Sequence, residues 1–329
     1  MFWLGLLLLV LAGAGALQAL GPVRRPAVPA ASAANPSGFG DAALAAAPPA
    51  SAKPEWDGKI AEPDPALLEP SRAFPTAGLP RIGANGRLPR LVYRRSAPPP
   101  DARPRIALLL AGMGLAAADS RAAIDRLPGA VSLAFSAYTP NPEALLAAAR
   151  GRGHEILASV PMEANGYPWN DAGPRSLMTG SPPAKNRENL DWAMSRLQGY
   201  VGLTGASDGL RGERFAEQSS SFALVLEEAA RRGLLYVDPR PGAPAPPGTG
   251  RTVDVVLDDP PTRADIEAKL ILLERMARDH GTALGLAGPL RPATIERLAA
   301  WAEDVEKRGY QLVPVSALAP GNTTTEAAQ

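Results

Sequence analysis

His154-Glu155-Ile156-Leu157-Ala158-Ser159-Val160 runs directly into Pro161-Met162-Glu163 and then into Tyr167-Pro168-Trp169-Asn170-Asp171-Ala172-Gly173-Pro174. The first segment is apolar enough for a strand buried on both faces, and the second is a long loop punctuated by proline and glycine. In α/β barrels the chemistry gathers at the carboxyl ends of the strands, where loops vary while the barrel beneath stays rigid. A site is therefore sought first on this loop.

Outward from it, short apolar runs alternate with segments of helical period. The strands expected are Ile106 to Leu110, Val131 to Phe135, Ile156 to Val160, Tyr200 to Leu203, Leu234 to Val237, Val253 to Leu257, Ala283 to Ala287 and Tyr310 to Val313. Helices are expected over Ala117 to Leu127, Pro142 to Arg152, Asn186 to Leu197, Phe222 to Arg232, Arg263 to His280 and Pro292 to Arg308. In the last of these, Ile295, Leu298, Ala299, Ala302 and Val305 share one face. Apolar strands separated by amphipathic helices imply a parallel sheet covered by helices. The reading is α/β, a distorted (β/α) barrel of seven or eight parallel strands over residues 104–318, with an open doubly wound sheet as the alternative.

The flanks read differently. Residues 1–20 form an N-terminal hydrophobic helix, a signal peptide or a membrane anchor: about 19 apolar residues span roughly a bilayer core, and Ala12 to Ala16 supply small residues of the kind a signal peptidase accepts. Residues 21–103 are Pro- and Ala-rich without sustained apolar period, which reads as a disordered linker, and residues 319–329 as a disordered tail. The expected location is exported, periplasmic or anchored in the inner membrane.

Composition removes several classes. The chain has 329 residues and no cysteine, so disulfides, thiolate metal sites and a cysteine nucleophile are excluded. A formal net charge of +1 gives no broad footprint for nucleic acid. Gly112-Met113-Gly114 lacks the remaining residues of either nucleotide-binding fingerprint and reads as a tight strand-to-helix turn. Ser219-Ser220-Ser221 reads as a helix start, with no histidine placed to activate a nucleophile.

Strand ends collect the candidate site: Glu163 after strand three, Asp208 after strand four, Asp238 and Arg240 after strand five, and Asp258 and Asp259 after strand six. The histidines, His154 opening strand three and His280 closing the helix before strand seven, fall on the opposite, amino-terminal face. The expected mouth thus has oxygen donors and no imidazole, so no metal ligands are assigned; Asp238 and Asp258 keep an oxygen-only site for Mg²⁺ or Ca²⁺ open.

Ile106 to Gly114, Leu127-Pro128, Gly153-His154-Glu155, the Pro161-Met162-Glu163 to Pro174 loop and Leu312-Val313-Pro314-Val315-Ser316 together resemble the divergent polysaccharide deacetylases over about residues 104–318. The resemblance implies a distorted barrel, export, and kinship with enzymes that remove acetyl groups from glycans with a divalent metal. It also implies departures: Ala111-Gly112 stands where the family often has paired aspartates, Ser159 where it often has histidine, Thr204 to Asp208 for an Asn-His-Met-Gly-Ser segment, and Ala287-Gly288-Pro289 for a late Gly-His-Pro. The functional expectation is a glycan-binding envelope protein whose metal site has degenerated. Glu163 and Asp238 are the candidate catalytic residues, and Tyr167, Trp169, Asp171, Arg240 and Asp258 the candidate substrate-binding residues. The membrane is a second partner through the N-terminal segment. The alternatives are an active carboxylate-based deacetylase or hydrolase, and a scaffold that binds another envelope protein.

Overall fold

The computed structural model describes residues 58–71, 73–74 and 78–320. The expected N-terminal helix, the linker through residue 57 and the tail from residue 321 lie outside the described residues. Among the described residues no helix is long and apolar enough to cross a membrane.

A short antiparallel pair, β1 (Leu68–Pro70) and β2 (Gly78–Pro80), and one helical turn, α1 (Pro89–Val92), precede the barrel. Then come β3 (Arg105–Met113), α2 (Ala117–Arg126), β4 (Ser132–Ser136), α3 (Glu143–Gly151), β5 (Ile156–Ser159), α4 (Pro183–Ser195) and β6 (Gly202–Thr204). The second half comprises α5 (Glu213–Glu217), α6 (Ser219–Arg231), β7 (Leu235–Asp238), β8 (Arg251–Thr252), β9 (Val255–Val256), α7 (Arg263–His280), β10 (Thr282–Ala287), α8 (Pro292–Asp304) and β11 (Gln311–Leu312).

The strands lie in the order β8-β7-β6-β5-β4-β3-β10-β9 and pair in parallel. The two ends of the sheet meet on one stretch of chain, because β9 falls within the strand expected from Val253 to Leu257 and β8 lies just ahead of it. Arg251 and Thr252 pair with β7, whereas Val255 and Val256 pair with β10, and the Leu257 amide still donates to Leu286 at 2.7 Å. The sheet therefore curls until one stretch of chain touches both of its ends, the arrangement of a distorted barrel and not of an open doubly wound sheet. β11 lies beside the first residues of β3, where β4 has not yet begun to pair.

Alternation divides the apolar residues in two. Ala107, Leu109, Leu157, Leu235, Val237, Leu284 and Leu286 fill the barrel, while Leu108, Leu110, Ala158 and Tyr236 face out toward Ile124, Leu190, Phe222, Leu273 and Leu298 of the helices. Each fully buried leucine contributes roughly 2 kcal/mol. The helices end where chemistry dictates: Thr262 caps α7 by accepting from the Asp265 amide at 3.2 Å, and Gly281 stops it at φ 80°.

Within the stretch expected as a disordered linker through residue 103, several described residues from 58 onward pack on the barrel. Leu67, Leu79 and Tyr93 are buried, the Arg90 amide donates to the Gly233 carbonyl at 3.2 Å, and the Arg95 amide to Glu155 at 2.9 Å. These apolar residues show no period because they pack singly against the barrel instead of forming a face of their own. Two arginines of this stretch are tied locally, Arg87 to Asp64 and Arg103 to Asp101. Ala319, at the start of the expected tail, is also buried.

Candidate functional site

The loops that leave β3, β4, β5 and β6 enclose a cavity of about 290 Å³ at the carboxyl end of the barrel. Leu115 comes from the first loop, Ser136 and Tyr138 from the second, Asp171 to Pro174 from the third, and Ser207, Asp208 and Leu210 from the fourth.

Each side is locally built. Asp171 accepts from the Gly173 amide at 2.9 Å, a turn that folds the long loop back over the mouth. Tyr138 accepts from the Arg175 amide at 2.9 Å and packs its ring 5.0 Å from that of Trp192, and burial pushes its phenol pKa up. Ser207 and Leu210 exchange backbone hydrogen bonds of 2.8 Å, which puts Asp208 at the tip of a tight turn with φ 46°. That left-handed backbone is uncommon for a side chain other than glycine and places the Asp208 carboxylate beside Gly112. Among the described residues Asp208 has neither a hydrogen-bonded nor an ion-paired side-chain partner.

Beneath the cavity, Ser136, Ser159 and Thr204 occupy matching positions on three adjacent strands. Ser136 and Thr204 accept from the amides of Tyr138 and Ala206, both at 3.2 Å, and the buried Ser159 hydroxyl has no partner. Gly112-Met113-Gly114 is the expected tight turn: the Gly114 amide donates to Ser120 Oγ at 2.8 Å, and a Cβ at Gly114 would fall 2.0 Å from Thr139 Oγ1.

The other expected site residues are engaged elsewhere. Glu163 is 4% exposed; Oε1 pairs with Arg214 at 3.0 Å, while Oε2 accepts from the Thr179 amide at 2.7 Å and its hydroxyl at 2.6 Å. Asp238, 1% exposed, is chelated by Arg240 at 2.9 and 2.7 Å, and that guanidinium lies over the Phe222 ring. Asp258 accepts from the Gly288 amide at 3.1 Å and from Thr294 at 3.2 Å, and burial raises its pKa against those bonds. Glu163, Asp238, Arg240 and Asp258 thus hold partners within the barrel and its loops and do not line the 290 Å³ cavity. Of the expected site residues, Asp171 lines the cavity. Tyr167 and Trp169 stand exposed on the same loop, Trp169 at 93%. Ser136 and Tyr138 were missed, although applying the strand-end rule to Val131–Phe135 would have found them.

Both histidines lie away from the mouth. His154 is fully buried just ahead of β5, with Nδ1 2.8 Å from the Val131 carbonyl and Nε2 3.2 Å from that of Ile124. His280 ends α7 and is exposed. Among the described residues no three His, Asp or Glu side chains converge as a metal site. The donors on the cavity are two carboxylates and hydroxyls, a set that does not fit a transition metal bound through imidazole.

Residues 108–319 match the family model described as divergent polysaccharide deacetylase. The crystal structure of an uncharacterized protein from Agrobacterium tumefaciens C58 is 33% identical, covers 74% of this chain and 99% of its own, and superposes with a TM-score of 0.68. The catalytic domain of peptidoglycan N-acetylglucosamine deacetylase from Eubacterium rectale ATCC 33656 is 14% identical, covers 67% of this chain and 92% of its own, and gives a TM-score of 0.39. No curated protein matches the chain.

Proposed function

Because the chain belongs to the divergent polysaccharide deacetylase family, we propose that the cavity at the barrel mouth binds a sugar unit of an envelope polysaccharide. The observation that carries this reading is the pair Asp171 and Asp208 on one cavity, with Asp208 unpartnered among the described residues and Asp171 holding a single hydrogen bond. Carboxylate oxygens accept from sugar hydroxyls in charge-assisted hydrogen bonds. Leu115, Tyr138 and the exposed Trp169 offer apolar surface for the ring face. Ser136 lies on the cavity and the free Ser159 hydroxyl beneath it, adding neutral donors. Among the described residues no imidazole stands at the mouth, which supports the reading of a glycan-binding barrel whose metal chemistry has been lost. Its export and tethering rest on the apolar residues 2–20 alone.

Titration with chitin and peptidoglycan oligomers, followed by tryptophan fluorescence, tests the proposal. Saturable binding that weakens at least about tenfold in Asp208→Asn supports it; no response to any oligomer sinks it. The same two carboxylates favour one second reading, hydrolysis with Asp208 as general base, worth about 10²- to 10⁴-fold. Release of acetate from acetylated oligomers that disappears in Asp208→Asn would establish that reading.

A further inference from the structure

A second cavity, of about 570 Å³, lies on the flank of the barrel, apart from the mouth. One wall is a single face of α3, where Glu143, Leu146, Ala147 and Arg150 recur at helical spacing. Facing them are Ser195 to Gln198 at the end of α4 and Glu62 of the segment that precedes the barrel.

Four charged side chains line this space, Glu62, Glu143, Arg150 and Arg196, and no ion pair joins any of them among the described residues. Arg150 is the unusual one. It is 3% exposed and donates through one terminal nitrogen to the Gln198 carbonyl, while its Nε has no partner. Its guanidinium is pressed against Gly199, where a Cβ would fall 2.7 Å from a terminal nitrogen. Glu62 acts on it only through space. Buried cations are ordinarily paired, because an uncompensated buried charge is costly. At the other end of the same helical face Glu143 is exposed and unbridged, and Asn141, with φ 45°, shapes the rim. Arg196 uses Nε on the Ala137 carbonyl at 3.3 Å and is otherwise exposed.

A ligand of one sign would meet like charge on two of the four side chains. A ligand carrying both signs would meet a partner for each. The seven-residue step from Glu143 to Arg150 spans about 10.5 Å along the helix, the length of an extended tripeptide. We propose that this cavity binds a short zwitterionic peptide, with its terminal carboxylate on Arg150 and Arg196 and its ammonium toward Glu143. The volume lies within the ordinary range for small-molecule sites.

Calorimetric titration of the full chain with trialanine, and with trialanine acetylated at one end and amidated at the other, tests the assignment. Saturable binding of the free peptide is expected, at least about tenfold tighter than the doubly blocked form. Glu143→Gln and Arg196→Gln, both at exposed positions, should each weaken it by about tenfold at an unchanged melting temperature. Arg150→Lys is the harsher variant, since the guanidinium also holds Gln198; its result is read only on protein that melts cooperatively. No binding up to about 10 mM, or equal affinity for free and blocked peptide, overturns the proposal. So does acetate alone binding as tightly as trialanine, which would make this a simple anion site. Chitin oligomers should not compete, so failure here is distinguishable from failure of the glycan reading.

Discussion

At the amino-terminal end of the barrel the Glu155 carboxylate accepts from the Arg95 amide, the Ser132 hydroxyl and both the amide and hydroxyl of Ser316. At the carboxyl end Asp208 accepts from nothing among the described residues, and its backbone is held at φ 46°. Both are acidic residues next to strands, and their settings differ in every physical respect. Glu155 is fully buried and joins three distant parts of the chain: the segment before the barrel, β4 and the turn at residues 315–318. Arg95 completes the joint by donating to the Gly153 carbonyl at 3.0 Å, in a space that only glycine leaves open. A side chain saturated with partners is building structure; one held in place and left unpaired is available to a ligand.

The contrast is broken most severely at the base. Glu155→Ala should strand four donors and lower stability by about 3–5 kcal/mol in urea melts. A loss below about 1 kcal/mol would show that the joint is dispensable. Gly153→Ala comes next: its Cβ would fall 2.0 Å from the Gly58 carbonyl, at a backbone φ of 79°. A loss of about 2–4 kcal/mol is expected, since backbone and not a flexible tip is in the way.

His154 sharpens the comparison through pH. Burial depresses its pKa below the ordinary imidazole value, against the two carbonyl contacts. The unfolded chain therefore takes up a proton first, so the stabilisation is complete above the ordinary value of about 6.5 and is lost as pH falls toward the folded pKa. Wild type should lose up to about 1.4 kcal/mol per pH unit relative to His154→Gln between roughly pH 6.5 and 5. Parallel pH profiles for the two proteins would contradict this. The smallest effect on folding belongs to the mouth: Asp208→Asn should change stability by less than about 0.5 kcal/mol, because asparagine tolerates the left-handed backbone.

The barrel was legible because its strands are buried on both faces and its helices keep their period, so each element announces itself over a few residues. The strand expected from Val253 to Leu257 contains β9, and β8 just ahead of it pairs with the opposite end of the sheet, because that pairing depends on curvature that no local pattern encodes. The loops that surround the cavity are legible in the sequence; which of their side chains line it is not. Glu163, Asp238 and Asp258 sit at strand ends as expected, and whether such a carboxylate faces the mouth depends on partners far away in sequence, Thr179 for Glu163 and Thr294 for Asp258. Arg240 is the exception, close enough to Asp238 for the pair to have been suspected. The packing of the described residues between 58 and 103 is not visible in the sequence because the buried ones, Leu67, Leu79 and Tyr93, are isolated among prolines and show no apolar period.

The most direct test compares two pairs of carboxylates by oligomer titration and thermal melting of the same samples. If the mouth cavity is the binding site, Asp171→Asn and Asp208→Asn lose affinity by at least about tenfold at an unchanged melting temperature. Glu163→Gln and Asp238→Asn should instead melt lower and, while folded, bind as wild type does. Affinity lost in the second pair and kept in the first would contradict the account.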